Sequence, residues 1–219
     1  MENDRSTMKS MEGEKTANIR ENMLDAVDEL IYTRGIAATG IDLITRTTGS
    51  SRKTIYRYFG TKDGLVEEVL RRRDERWMEW FTASIAEYKT PEEKLLNIFL
   101  VLQTWFESDD FRGCAFINTS GERLDPIDPV RIIAKEHKKK VFTYILSICE
   151  EISPDSSVDL ARKFLILIEG AITTAHIMND RNYALEAMNI AKALLNKYNV
   201  TGVSERSQQS SNLKDEGYN

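Results

Sequence analysis

Five cations, Arg46, Arg52, Lys53, Arg57 and Lys62, stand between Thr39 and Lys62 against a single acid, Asp42. The chain as a whole is acidic, with 30 Lys and Arg against 35 Asp and Glu. Cations concentrated in this way suit a surface facing phosphates, whose neutralisation supplies much of the affinity of proteins for nucleic acid. Arg52 and Lys53 have the donors to reach guanine O6 and N7, whereas Tyr56 and Lys62 suit phosphate contact and Arg57 suits either.

Two short helical patterns position these groups. Thr39 is a candidate cap for a first helix that carries Ile41, Leu43 and Ile44 inward. Gly49 then breaks the chain, since glycine takes the positive φ needed between two helices without steric cost. Ser50 or Ser51 offers a hydroxyl to cap a second helix beginning near Arg52. Ile55 and Phe59, four apart, share the face that turns to a core, which leaves Lys53, Thr54, Tyr56 and Arg57 pointing elsewhere. Such a short helix, tight turn and second helix reads as a helix-turn-helix. An ordinary helical hairpin with a solvated basic face is the alternative, and the local excess of positive charge argues against it.

The run TGSSRKTIYRYFGTKDGLVEEVL resembles the DNA-binding signature of TetR/AcrR-type transcriptional regulators. The signature positions are occupied by Thr39, Ile44, Gly49, Ser51, Tyr56, Phe59, Lys62 and Leu65, over roughly the first third of the chain. Thr45 departs from the usual alanine, Ser50 from the usual valine and Lys53 from a small residue, so the operator sequence stays open. By position in the motif, Thr39, Arg52, Lys53, Thr54, Tyr56, Arg57 and Lys62 form the DNA-facing set. Thr39 is placed to bond a phosphate beside the positive end of its helix.

With 219 residues, 41% of them hydrophobic and 30% charged, the chain has the composition of a helical globular protein. Its four prolines and eleven glycines leave long uninterrupted windows that favour helices over a turn-rich β fold. No apolar run approaches the ~18 residues of a membrane span, and the N-terminus lacks an apolar signal region. These features imply a cytoplasmic protein without a membrane partner. Cys114 and Cys149 form no C-x-x-C pair, so neither a zinc site nor a disulfide framework is expected. Cys114 is the better candidate for a thiol sensor, because Arg112 would lower its pKa if the two side chains met.

The expected fold is all-α, an N-terminal three-helix DNA-binding domain followed by a helical body. Residues 1–16 read as a disordered polar arm, 17–61 as the helix-turn-helix domain, 62–200 as the body and 201–219 as a disordered tail. Ile19, Met23, Ala26, Val27, Leu30 and Ile31 make one helical stripe, stopped by Gly35, that lids the helix-turn-helix core. Thr61 caps a long helix through about Tyr88. Its Arg71, Arg72, Arg73 and Arg76 are expected to be solvated or paired with Glu67, Glu68 and Asp74 on the same helix. Thr90-Pro91-Glu92-Glu93 starts a helix to about Glu107. The segment Asp110–Glu122 shows no period, Asp128-Pro129 opens a helix to Ile152, and helices over about 157–179 and 182–199 close the body.

The last two helices are apolar over more than one face, which an outer helix of a monomer should not be. The resemblance implies that they pair with those of a second subunit in a four-helix bundle, so that a two-fold dimer reads a palindromic double-stranded operator. A thicker monomer core is the alternative. The resemblance also implies a small-molecule effector of unknown identity held in the body, with repression as the expected sign. Candidate effector residues are Trp105, Phe106, Cys114, Phe116 and Asn118, together with Glu122, Phe142, Glu169, Thr173 and His176. His137, beside Lys138-Lys139-Lys140, is more at home on the surface. Glu169 stands out, since an acid within an apolar helix needs a partner. An enzyme is the competing class, but the chain holds no G-x-S-x-G, P-loop or H-E-x-x-H and only two histidines. No catalytic residue, metal ligand or cofactor is expected. A further alternative keeps DNA binding and makes oxidation of Cys114 the signal.

Overall fold

The computed structural model describes residues 2–198, with side chains from Asn18 onward. Every regular element among them is helical: α1 (Glu2–Ala38), α2 (Ile41–Thr48), α3 (Arg52–Phe59), α4 (Lys62–Ala86), α5 (Pro91–Phe106), α6 (Ala115–Gly121), α7 (Pro129–Ile152) and α8 (Ser157–Met178). A 3-10 turn at Pro154–Ser156 leads into α8, and α9 covers 183–198. The backbone of the expected arm is helical from Glu2, as part of α1, while its side chains lie outside the described residues. The expected tail, 201–219, lies outside them altogether. No described helix is long and apolar enough to cross a membrane.

Two compact units result, one comprising the chain up to Trp77 together with Ala115–His137, the other Met78–Cys114 together with the chain from Lys138. The first unit extends past the 17–61 span expected for the DNA-binding domain and takes in the start of α4, α6 and the start of α7. Its core is the stripe of α1 (Met23, Leu24, Val27, Leu30, Ile31) with Ile36, Ile44, Ile55, Phe59, Leu65 and Val66. Ile19 is the member of the expected stripe that stays exposed. Gly35 (φ 80°, ψ 169°) breaks the helical path of α1 as expected, and the chain resumes a helical course at Ile36.

The arginines of α4 depart from expectation. Arg72 pairs with Glu21 and Asp25, Arg73 with Asp28, Arg76 with Asp25 and Arg71 with Glu136. Their partners are therefore on α1 and α7 rather than one turn away on α4, because packing against α1 brings its acid face to them. Although desolvation opposes the shift, Asp25 is held below the usual carboxylate range by Arg76 and Arg72.

His137 is 1% exposed, not on the surface. It falls in register with Val130, Ile133, Ala134 and Val141 on the buried side of α7, a periodicity that outranks the adjoining lysine run. Its Nδ1 lies 2.8 Å from Asp74 Oδ1, and its ring stacks on Phe116 at 3.9 Å and meets Trp77 edge-on at 5.0 Å.

Thr61 Oγ1 accepts the Gly64 N–H at 2.9 Å, the cap expected at the start of α4. Gly64 packs so closely that a Cβ there would lie 2.5 Å from the Phe59 carbonyl oxygen. Gly64→Ala should therefore cost about 1–3 kcal/mol, since backbone rather than a mobile side chain must yield. A thermal midpoint unchanged from wild type would show that the α3–α4 turn relaxes freely.

In the second unit α5 and α8 carry the core, with Leu95, Ile98, Phe99 and Leu102 against Leu160, Phe164 and Ile168. Thr90 and Glu93 form the capping box that starts α5. Segment 110–122, which shows no period, contains the short helix α6.

Candidate nucleic-acid interface

Helix α3 sorts its side chains into two sets. Ile55 and Phe59 are buried, while Arg52, Lys53, Tyr56 and Arg57 are exposed and Thr54 is half-buried. Gly49 adopts φ 66° at the end of α2. Of the two serines, Ser51 is the cap of α3, its Oγ accepting the Thr54 N–H at 3.1 Å. The Thr54 hydroxyl lies 2.9 Å from the same Oγ, so it also braces the start of the helix. Arg52 pairs with Asp42 of α2, and this hydrogen bond raises its pKa further above neutrality. Asp42, the lone acid of the stretch, thus orients the guanidinium that opens α3. The Arg57 guanidinium lies 5.0 Å from the centre of the Tyr58 ring, and Tyr58 is half-buried against Phe59.

Two members of the expected DNA-facing set are placed differently. Thr39 is fully buried, and its hydroxyl donates to the Gly35 carbonyl at 2.6 Å. The cap of α2 is Gly40, without a side-chain bond, so Thr39 neither caps the helix nor offers its hydroxyl to a phosphate. The cause is the bend at Gly35, which leaves a carbonyl for the nearby hydroxyl to satisfy. Lys62 is half-buried and donates from Nζ to the Ile36 carbonyl at 2.9 Å.

The effector candidates fall in both units. Phe116, Asn118 and Glu122 belong to the first, where Phe116 is buried under His137 and Asn118 is exposed. The Glu122 carboxylate accepts the backbone N–H groups of Ile36 at 2.9 Å and Ala37 at 2.8 Å. It is a structural acceptor for the entry to α2, which its position 86 residues away in sequence gave no means of reading.

In the second unit, Phe111 is the aromatic that sequence reasoning missed, and it gathers Trp105 at 5.1 Å, Phe106 at 4.7 Å and His176 at 6.0 Å. Gly113 (φ 75°) lies against His176, with room for no Cβ: one would meet the ring at 2.9 Å. An open depression of about 250 Å³ is lined by Phe106, Phe111, Ala175, Glu107 and residues 179–182. Phe106 alone of the ten candidates lines it; Thr173 is exposed and Phe142 half-buried elsewhere.

Glu169 has the partner its burial demands. Lys138 Nζ donates to both of its carboxylate oxygens at 2.7 Å and lies 3.3 Å from Cys114 Sγ. Burial lowers the Lys138 pKa, but Cys114 and Glu169 outweigh it and raise it overall. The cation beside Cys114 is thus Lys138; Arg112 instead donates to the carbonyls of Asp109 and Phe111. At Cys149, burial, with Glu150 adding to it, pushes the thiol up to about 12. A thiol raised this far stays protonated at neutral pH, so a maleimide should label Cys149 at pH 7 only after unfolding. Rapid native-state labelling at that position would refute this. Among the described residues no group of three or more His, Cys, Asp or Glu is placed to hold a metal ion.

Comparison with known proteins bears on the whole arrangement. Residues 23–69 match the family described as bacterial regulatory proteins, tetR family. The chain is 21% identical over 155 residues to the HTH-type transcriptional regulator YjdC of Escherichia coli (strain K12), covering 70% of this chain and 81% of that protein. It is 28% identical over 165 residues to the HTH-type transcriptional repressor ComR of the same organism, covering 71% and 79%. Its fold is similar to that of SCO4454, a TetR-family transcriptional regulator from Streptomyces coelicolor, with TM-score 0.79 and 23% identity over 84% of this chain and 97% of that one.

Proposed function

We propose, for a chain that belongs to the TetR family of bacterial transcriptional regulators, that it is a repressor that binds a palindromic operator as a homodimer and is released by a small-molecule effector. The observation that carries this reading is the sorting on α3, where Ile55 and Phe59 anchor the helix and Arg52, Lys53, Tyr56 and Arg57 stand exposed. Arg52 and Lys53, in its first turn, are assigned to base edges, and Tyr56 and Arg57 to the backbone. Lys62 keeps two N–H donors beyond its bond to Ile36 and is assigned to phosphate.

Dimerisation is supported by the outward face of α8 and α9. Ile166 and Ile177 of α8 are 70% and 73% exposed, and Met178 and Ile190 are exposed as well. Residues of this kind belong under a partner. Sedimentation should give twice the 25.1 kDa of the chain. Ile166→Glu with Ile177→Glu should give single chains that bind a half-site and lose preference for the full palindrome. Two-fold mass retained by the double variant would place the interface elsewhere.

The effector is assigned to the second unit, around the Trp105, Phe106, Phe111 and His176 cluster, with Lys138 and Glu169 as the polar groups. Effector and operator must bind antagonistically, because a ligand of equal affinity for free and DNA-bound protein would shift nothing.

A second reading of the signal rests on the Lys138 ammonium, which lies 3.3 Å from Cys114 Sγ. In that reading modification of Cys114 releases the operator, and Cys114→Ser abolishes the response to thiol reagents. A serine variant as responsive as wild type removes it.

A further inference from the structure

Two adjacent residues of the segment between α6 and α7 hold the DNA-reading head at two points. The Glu122 carboxylate closes over the Gly35 bend, taking the N–H of Ile36 on Oε1 and that of Ala37 on Oε2. Gly35 makes this approach possible, since a Cβ there would lie 2.7 Å from Glu122 Oε1. Two of these three residues are also gripped from other sides, with the Ile36 carbonyl taken by Lys62 Nζ and the Gly35 carbonyl by the buried Thr39 hydroxyl. Arg123 meanwhile pairs with Asp63 in the first turn of α4 at 2.7 Å. Its own backbone carbonyl accepts from Arg131 of α7 at 3.2 Å, which ties the grip to that helix. All these residues lie in the first unit.

Bonds from a carboxylate to two consecutive backbone amides are charge-assisted and directional. They fix the entry angle of α2 and, through the α2–α3 turn, the direction in which α3 projects. The Arg123 pair fixes the start of the helix that follows α3. The helix-turn-helix is therefore held at both ends by residues 122 and 123, which belong to the α6–α7 segment rather than to the three-helix head.

We infer that Glu122 and Arg123 are positioning residues for operator recognition: they set the orientation of α3 without touching DNA. The inference rests on the operator-binding reading above, and its test separates the two. In the full chain, Glu122→Gln keeps the shape and leaves one acceptor oxygen where there were two. Arg123→Gln removes the second grip. Hydrogen exchange at the amides of Ile36 and Ala37 is measured together with affinity for a palindromic and a scrambled duplex across a salt series.

Glu122→Gln should speed exchange at residues 36 and 37 by about tenfold or more and reduce the palindrome-to-scrambled ratio by about tenfold. Scrambled-duplex affinity and its salt slope should stay at wild-type values, because no phosphate-facing cation is changed. Arg123→Gln should lower the ratio without altering exchange at 36 and 37. Unchanged exchange in Glu122→Gln overturns the inference, as does faster exchange with the palindrome preference intact. If wild type itself shows no palindrome preference, the operator reading fails on its own account, the positioning role falls with it, and the exchange result still reports whether the grip exists.

Discussion

Exchanging Lys53 and Arg57 for alanine together should lower operator affinity by about a thousandfold at physiological salt, with the helical content unchanged. Both side chains are exposed on α3, so their loss leaves the Ile55–Phe59 anchor untouched. In a homodimer the exchange removes four cations from the DNA face. The two copies of Arg57 are the backbone contacts among them, so with a slope of about −0.9 per neutralised phosphate the dependence of log affinity on log salt should flatten by about two, while the loss of Lys53 relaxes sequence preference. Arg52 is left out of this variant because its Asp42 partner offsets part of its charge. A variant that keeps the wild-type slope would move the phosphate contacts off α3.

Replacing His137 by alanine should cost about 3–5 kcal/mol, among the largest losses available to a single substitution here. The change removes the bond to an Asp74 that is 5% exposed and withdraws the ring from between Phe116 and Trp77. At this chain length such a loss corresponds to a fall in Tm of roughly 10 °C. Truncating Asp74 in the same chain should recover part of it, since the remaining cost then lies in packing rather than in a buried carboxylate without its imidazole. A His137→Ala protein within 1 kcal/mol of wild type would mean that Asp74 finds water or another donor at once.

The parts of the fold that were legible are those set by local rules. Gly49 and Ser51 mark the turn and the cap of α3 because positive φ and an N-cap hydroxyl are requirements of neighbouring residues. Pro91 and Pro129 mark helix starts for the same reason. Contacts across the chain were not legible. Glu122 reads as a polar residue in an aperiodic stretch, and its role appears only when Ile36 and Ala37 are placed beside it. Lys138, one of three consecutive lysines, reads as solvated until folding sets it against Glu169 and Cys114. His137 was legible in principle, since it keeps the i, i+4 register with Ile133 and Val141, but the lysines beside it pointed the other way. Thr39 shows a motif position occupied by the expected residue with its hydroxyl directed to the protein instead of outward.

The measurement that bears most directly on the central claim is binding of the full chain to palindromes upstream of its own and adjacent genes across a salt series, with scrambled duplexes of equal length alongside. Specific recognition by α3 predicts a steep negative salt slope and a preference for one palindrome of about a thousandfold or more over scrambled DNA. Binding that follows salt but ignores sequence would reduce the Arg52–Lys62 stretch to an electrostatic patch, and no binding at low salt would contradict the regulator altogether.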